Sequence, residues 1–235
     1  GVYAFSNAVL IFHNVKINGN RGGNNGGGLW IADGSLTAYH SQFNNNHAAG
    51  TAGGLHGYPN AIITLYNCEI KNNSNTSYGA GLYVREGSVA HVVNTLISGN
   101  KSTSSNGGGG VMLYGGNTVN IISSTIVNNS SVGPGAGVYK RNMVNNLNIY
   151  NTIITNNTQA STSKDVDFYS EATATDPSIK NSIVMSSLYT DAGTVDGTLS
   201  FAPGTMLNAE FIPIGQNNPA LTHGVDKTTL LAYGN

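Results

Sequence analysis

Gly26-Gly27-Gly28-Leu29-Trp30-Ile31 opens a stretch, residues 26–46, that closes on Phe43-Asn44-Asn45-Asn46 and decides the fold, because both of its ends recur. The glycine half returns as Ala52-Gly53-Gly54-Leu55, Gly79-Ala80-Gly81-Leu82, Gly108-Gly109-Gly110-Val111 and Gly135-Ala136-Gly137-Val138. The aliphatic residue ending each copy advances by 26, 27, 29 and 27 residues. The asparagine half closes at Asn20, Asn46, Asn73, Asn100, Asn129 and Asn157, in steps of 26, 27, 27, 29 and 28. Two markers that keep step define a repeat. A unit of this length buries its apolar face only by stacking on the next one.

Between the markers the chain alternates with period two, which is the rhythm of a strand. The inward pairs are Leu10/Phe12, Leu36/Ala38, Ile63/Leu65, Ala90/Val92, Val119/Ile121 and Leu147/Ile149. Each coil therefore reads as two alternating strands and two connections over residues 8–157. Asp33-Gly34, Tyr58-Pro59-Asn60, Glu86-Gly87 and Gly115-Gly116-Asn117 are the turn signals between them. Equivalent strands then lie parallel and in register, about 4.8 Å apart. The fold class is all-β, a single-stranded parallel β-helix. Ile62 to Leu65 are apolar on both faces, which predicts a partly covered outer face there.

The organisation reads as coils over 1–157 and a last coil with an irregular C-terminal cap over 158–235. Asn181-Ser182-Ile183-Val184 repeats Asn151-Thr152-Ile153-Ile154, and no period is visible from 191 on. A solenoid end needs covering against edge pairing, and the first coil shows no such cover. The chain also starts at Gly1 within repeat material, so it reads as a fragment or processed product.

Only 9% of residues are charged and the formal net charge is -1, which argues against a nucleic-acid partner. No apolar run approaches the roughly twenty residues of a membrane span. Cys68 is the only cysteine, at the position held by Val15, Ser41, Thr95, Ser124 and Thr152 in other coils, and reads as a small buried filler. The histidines His13, His40, His47, His56, His91 and His223 lack metal-ligand spacing, and neither metal nor cofactor is expected.

Equivalent positions stack into ladders. Asn20, Asn46, Asn73, Asn100, Asn129 and Asn157 form a structural ladder of side-chain amides. The residue after each inward aliphatic points outward, giving a candidate ligand-binding stripe of Trp30, His56, Tyr83, Met112 and Tyr139. Aromatic faces at coil spacing stack against an extended sugar chain, or pack beneath a neighbouring loop or chain. A second stripe, His13, Tyr39, Tyr66, Val93, Ile122 and Tyr150, reads as lateral packing.

The pairing of Gly-Gly-Ala/Gly-aliphatic with Phe/Ile-x-x-Asn resembles the repeat of the polymorphic outer membrane proteins. Phe43-Asn44-Asn45-Asn46 matches outright, whereas the other copies carry Ile, and Gly usually stands where the family has Ala. Asn218-Pro219-Ala220-Leu221-Thr222-His223-Gly224 is similar to the Ser-Pro-Ala-Ile-Asp-x-Gly signature of exported bacterial β-helix proteins, departing at Thr222. The resemblance implies a right hand for the helix, export to an extracellular or outer-membrane surface of a bacterium, and adhesion or recognition of a polysaccharide, a cell-surface glycan or a protein. It lends no catalytic residues.

The rival reading is a polysaccharide lyase or glycoside hydrolase. A hydrolase wants two carboxylates flanking one bond, and a lyase a base with acidic calcium ligands. Asp33, Glu69 and Glu86 lie in different coils. Lys140 and Arg141 make a cationic spot beside Tyr139, and Lys140 at an inward position predicts an ending or bulged strand. Asp165 and Asp167 are too few for calcium and read as a solvated loop. The sequence thus favours a non-catalytic surface or secreted protein of adhesin or glycan-recognition type, with a structural spacer as the third reading.

Overall fold

The repeat folds into a parallel solenoid with four strands per coil. The computed structural model describes residues 1–141, 146–160, 167–171 and 177–184, together with the backbone of the strands Ser187–Tyr189, Val195–Asp196 and Leu199–Ser200. One coil runs through Leu82–Arg85, Val89–Val93, Leu96–Ser98 and Lys101–Ser102. Stacking makes three parallel sheets of eight strands and one of six. The first carries the glycine motif, the second the five-residue alternating strands, and the third the apolar residue of Phe/Ile-x-x-Asn. The fourth follows the ladder asparagine. The last two sheets were expected as connections. Strands of three and two residues are too short to display alternation, and only pairing with the adjacent coil reveals them.

Register follows the repeat. Leu82 pairs with Leu55 and Val111, Ile70 with Phe43 and Ile97, and Ile183 with Ile153. The inward residues form one continuous core from Ala4 to Val184, in which Leu36, Ile63, Ala90 and Val119 have no exposed surface. Each buried Val, Leu or Ile contributes about 1.5–3 kcal/mol. The first coil is the exception, with Leu10 and Phe12 only half-buried.

The two repeat markers keep step because they touch. A Cβ at Gly81 would lie 3.0 Å from the Asn100 amide and 2.4 Å from the carbonyl oxygen of Gly110 in the next coil. Gly28 stands in the same relation to Asn46, Gly54 to Asn73, Gly110 to Asn129 and Gly137 to Asn157. Absence of a side chain in one sheet makes the space that an asparagine from another corner fills.

Those asparagines are buried and saturated. Asn73 Oδ1 accepts from the Asn46 backbone N–H at 2.9 Å and from Asn46 Nδ2 at 3.1 Å. Its Nδ2 donates to the Phe43 carbonyl at 2.8 Å and to Asn100 Oδ1 at 2.9 Å. Two donors and two acceptor sites are all that an amide has. The pattern runs from Asn20 to Asn157, and Asn157 donates to Asp167 Oδ1. The residue before each ladder asparagine is Gly19, Asn45, Asn72, Gly99, Asn128 or Asn156. All six are left-handed, at φ of 54–70°, and this turns the corner. Asn45-Asn46 and its counterparts therefore divide two roles between neighbours.

A second ladder joins Ser41, Cys68, Thr95, Ser124, Thr152 and Ser182. Cys68 N donates to Thr95 Oγ1 at 3.3 Å, Thr95 N to Ser124 Oγ at 3.1 Å and Thr152 N to Ser182 Oγ at 3.1 Å. Cys68 is 2% exposed, and burial pushes its thiol pKa up, as suits a filler.

Lys140 is the last residue of its strand, Val138–Lys140, as expected; it pairs in register with Leu113 and Ser170, without a bulge, and has no exposed surface. Three expectations need correction. The outer face at Ile62 is open, with Ile62 51% exposed. Phe168–Ser170 forms a strand of the glycine-motif sheet ahead of the last coil expected at 181–184, in the stretch 158–235 where no strand was expected before it. Asp167 is buried at the end of the asparagine ladder instead of lying in a solvated loop. Asp165, residues 201–235 of the expected cap and the signature at 218–224 lie outside the described residues.

Candidate functional site

The stripe of Trp30, His56, Tyr83, Met112 and Tyr139 does stand outside the main core, one residue per coil, since the strands of the glycine-motif sheet alternate. It is nevertheless covered. His56 and Met112 have no exposed surface, and Tyr83 and Tyr139 retain 2% and 4%. With Ala52 they make a second apolar cluster, packed by Tyr78, Tyr114 and Tyr169. His56 lies nearly parallel to Tyr83 at 5.1 Å between ring centroids and stacks on Trp30 and Tyr58 at 5.9 Å. Trp30 is half-buried and stacks at 4.4 Å on Tyr3, which is 56% exposed. The buried alternative for this stripe thus describes His56 to Tyr139, while its Trp30 end meets solvent.

Burial governs the titration of the covered members. Desolvation, with a smaller effect of the Arg85 charge, lowers the pKa of His56 to about 3. Among the described residues neither ring nitrogen of His56 has a hydrogen-bond partner, so a neutral imidazole fills a place suited to an aromatic hydrocarbon. Desolvation also raises the pKa of Tyr83, and that of Tyr139, whose hydroxyl donates to Glu171.

Two residues further along the same face runs a row that sequence reasoning passed over: Tyr58, Arg85, Tyr114, Arg141 and Glu171. Arg85 pairs in register with Tyr114, and backbone bonds from Arg141 to Leu113 and from Glu171 to Lys140 continue the row. All five are half-buried. The Arg85 guanidinium lies over Tyr58 at 4.1 Å and over Tyr114 at 5.6 Å. Arg141 is 5.2 Å from both Tyr114 and Tyr78. Each arginine has a carboxylate beside it: Arg85 Nη2 to Glu86 Oε1 at 2.9 Å, and Arg141 Nε to Glu171 Oε1 at 3.9 Å. The available signal was period-two counting carried one position beyond the stripe.

The second stripe is stacked laterally, as expected. His13 and Tyr39 are 4.8 Å apart at 9°, and Tyr39 and Tyr66 are 5.2 Å apart at 11°. Among the described residues, no group of three or more His, Cys, Asp or Glu is placed to hold a metal. No helix among them is long and apolar enough to cross a membrane.

Residues 1–134 match the family model described as "Right handed beta helix region". The chain belongs to the right-handed β-helix family. The matched span of this β-helix protein holds the coils that carry Trp30, Tyr58, Arg85 and Tyr114, whereas Arg141 and Glu171 lie in the coils that follow. No curated protein and no solved structure was found to match the chain. Membership of the family supplies the architecture, and chemistry has to be argued from the face itself.

Proposed function

We propose that this β-helix protein is a non-catalytic, adhesin-like glycan-recognition protein, exported to the surface or surroundings of a bacterium. Its ligand lies lengthwise on the face that carries Tyr58, Arg85, Tyr114 and Arg141. The supporting observation is that half-exposed row, in which tyrosine and arginine alternate coil by coil. From Tyr58 to Glu171 it spans four coil steps, about 19 Å at about 4.8 Å each. An elongated ligand with repeating units matches a surface that itself repeats. The tyrosine rings hold the guanidinium groups in place, and these offer fixed donors to sugar hydroxyls.

The stripe of Trp30, His56, Tyr83, Met112 and Tyr139 enters this reading in two parts. Trp30 extends the surface towards exposed Tyr3 and Phe5, while the other four form the packed layer that holds the row in place. Export and bacterial origin rest on the resemblance to the polymorphic outer membrane proteins.

Affinity electrophoresis through gels containing neutral and acidic polysaccharides tests the proposal. One polymer should retard the protein selectively, and Tyr114→Ala should restore most of its mobility. Equal mobility in every gel would remove glycan recognition and favour a spacer or a protein-binding role. Shortening of the retarding polymer would favour the polysaccharide-cleaving alternative.

A further inference from the structure

The charge arrangement of the tyrosine–arginine row narrows the ligand. Its two cations are both compensated within the row: Glu86 lies 2.9 Å from Arg85, and Glu171 lies 3.9 Å from Arg141. A polyanion approaching this face finds no net positive potential to draw it in. It also meets Glu86, whose side chain is 46% exposed, as a like charge. A carboxylate or sulfate accepts hydrogen bonds only, so it finds a partner in the arginine but none in the carboxylate beside it. A sugar hydroxyl both donates and accepts, and an arginine beside a carboxylate presents both partners together.

Spacing supplies the second half of the argument. Tyr58 and Tyr114 are separated by the coil of Arg85, and the two ion pairs are separated by the coil of Tyr114. The hydrogen-bonding sites therefore recur every two coils, about 9.6 Å, with a tyrosine in the coil between them. The guanidinium groups are already held over tyrosine rings at 4.1–5.8 Å, so less side-chain freedom is lost when a ligand arrives.

We infer that the ligand is a neutral glycan chain, with alternate units hydrogen-bonded by the Arg85–Glu86 and Arg141–Glu171 pairs, whose guanidinium groups the rings of Tyr58 and Tyr114 hold in place. This deepens the glycan reading above and rests on it.

The test is calorimetric titration of the purified protein with soluble neutral hexasaccharides of gluco, manno and xylo configuration and with hexamers of uronic acid. It is run at about 0.01 M and about 1 M salt, where the Debye length falls from about 30 to about 3 Å. At least one neutral hexamer should bind with little change between the two salt concentrations. Arg85→Ala should weaken that binding about tenfold or more. Glu86→Gln, a substitution at an exposed turn position, should weaken neutral binding less and give the protein a new, salt-sensitive affinity for the uronic acid hexamers. Tighter binding of uronic acid hexamers by the unaltered protein overturns the neutral assignment and leaves glycan recognition standing. Neutral binding indifferent to both substitutions overturns the assignment to this face. Failure of every hexamer to bind overturns both readings.

Discussion

Asp167 stands ten residues after Asn157 and takes the place that the next ladder asparagine would fill: its Oδ1 accepts from the Asn157 backbone N–H at 2.9 Å and from Nδ2 at 2.6 Å. The strand register explains how. Phe168 pairs with Val138, so Asp167 stands where the other coils have glycine, and its side chain enters the ladder space from that side. Asp167→Ala should cost about 2–4 kcal/mol, because two buried donors lose their acceptor. Asp167→Asn keeps an amide oxygen for both donors and should cost clearly less. Urea denaturation of the two variants, with hydrogen exchange at the Asn157 amide, checks the difference.

Asn73→Ala, in the middle of the ladder, removes a saturated amide and strands the Asn46 backbone N–H and Asn46 Nδ2. A loss of about 3 kcal/mol is expected. Asn20→Ala, at the more exposed end, should lose about a third of that. Equal unfolding midpoints for the two variants would count against a cooperative ladder.

Gly81→Ala tests the contact between the two repeat markers. Its Cβ would meet backbone and a buried amide at 2.4–3.0 Å, and neither yields as a flexible side chain does. Several kcal/mol of destabilisation, or failure to fold, is expected. Gly23→Ala, where a Cβ meets nothing within 4 Å, should change the thermal midpoint little.

His56 makes stability depend on pH in a defined direction. Its folded-state pKa of about 3 lies below the ordinary 6.5, so the unfolded chain binds the proton first. The contribution of neutral His56 is complete above about pH 6.5 and is lost as pH falls towards about 3, at no more than about 1.4 kcal/mol per unit. His56→Phe keeps the stacking and removes two unpaired nitrogens. It should raise the midpoint and flatten this part of the profile, measured as the difference between variant and unaltered protein from pH 7 to 4.

Much of the fold was legible because a solenoid writes each contact several times. Leu36, Ile63, Ala90 and Val119 announce an inward ladder by alternation and period together, and the structure buries all four. The short strands Gln42–Asn44 and His47–Ala48 were not legible, since what makes them strands is the adjacent coil. Asp167 escaped for a related reason. It lies outside the rhythm of the asparagines and joins their ladder from the glycine position. The candidate face was half legible. Alternation told which way Tyr83 points, but part of the cover over it comes from Tyr78, which lies outside the strands and so outside the alternation.

The asparagine ladder also gives the solenoid an electrical polarity. Every ladder amide from Asn20 to Asn129 turns its Nδ2 towards the following coil and its oxygen towards the preceding one, so the side-chain dipoles align head to tail along the axis. Dipoles in series polarise one another, as peptide groups do in a helix. The negative end is the Asn20 oxygen, and the positive end is the Asn157 amide, which meets the Asp167 carboxylate. A buried negative charge there compensates a row of parallel dipoles that would otherwise leave a partial positive charge at that end.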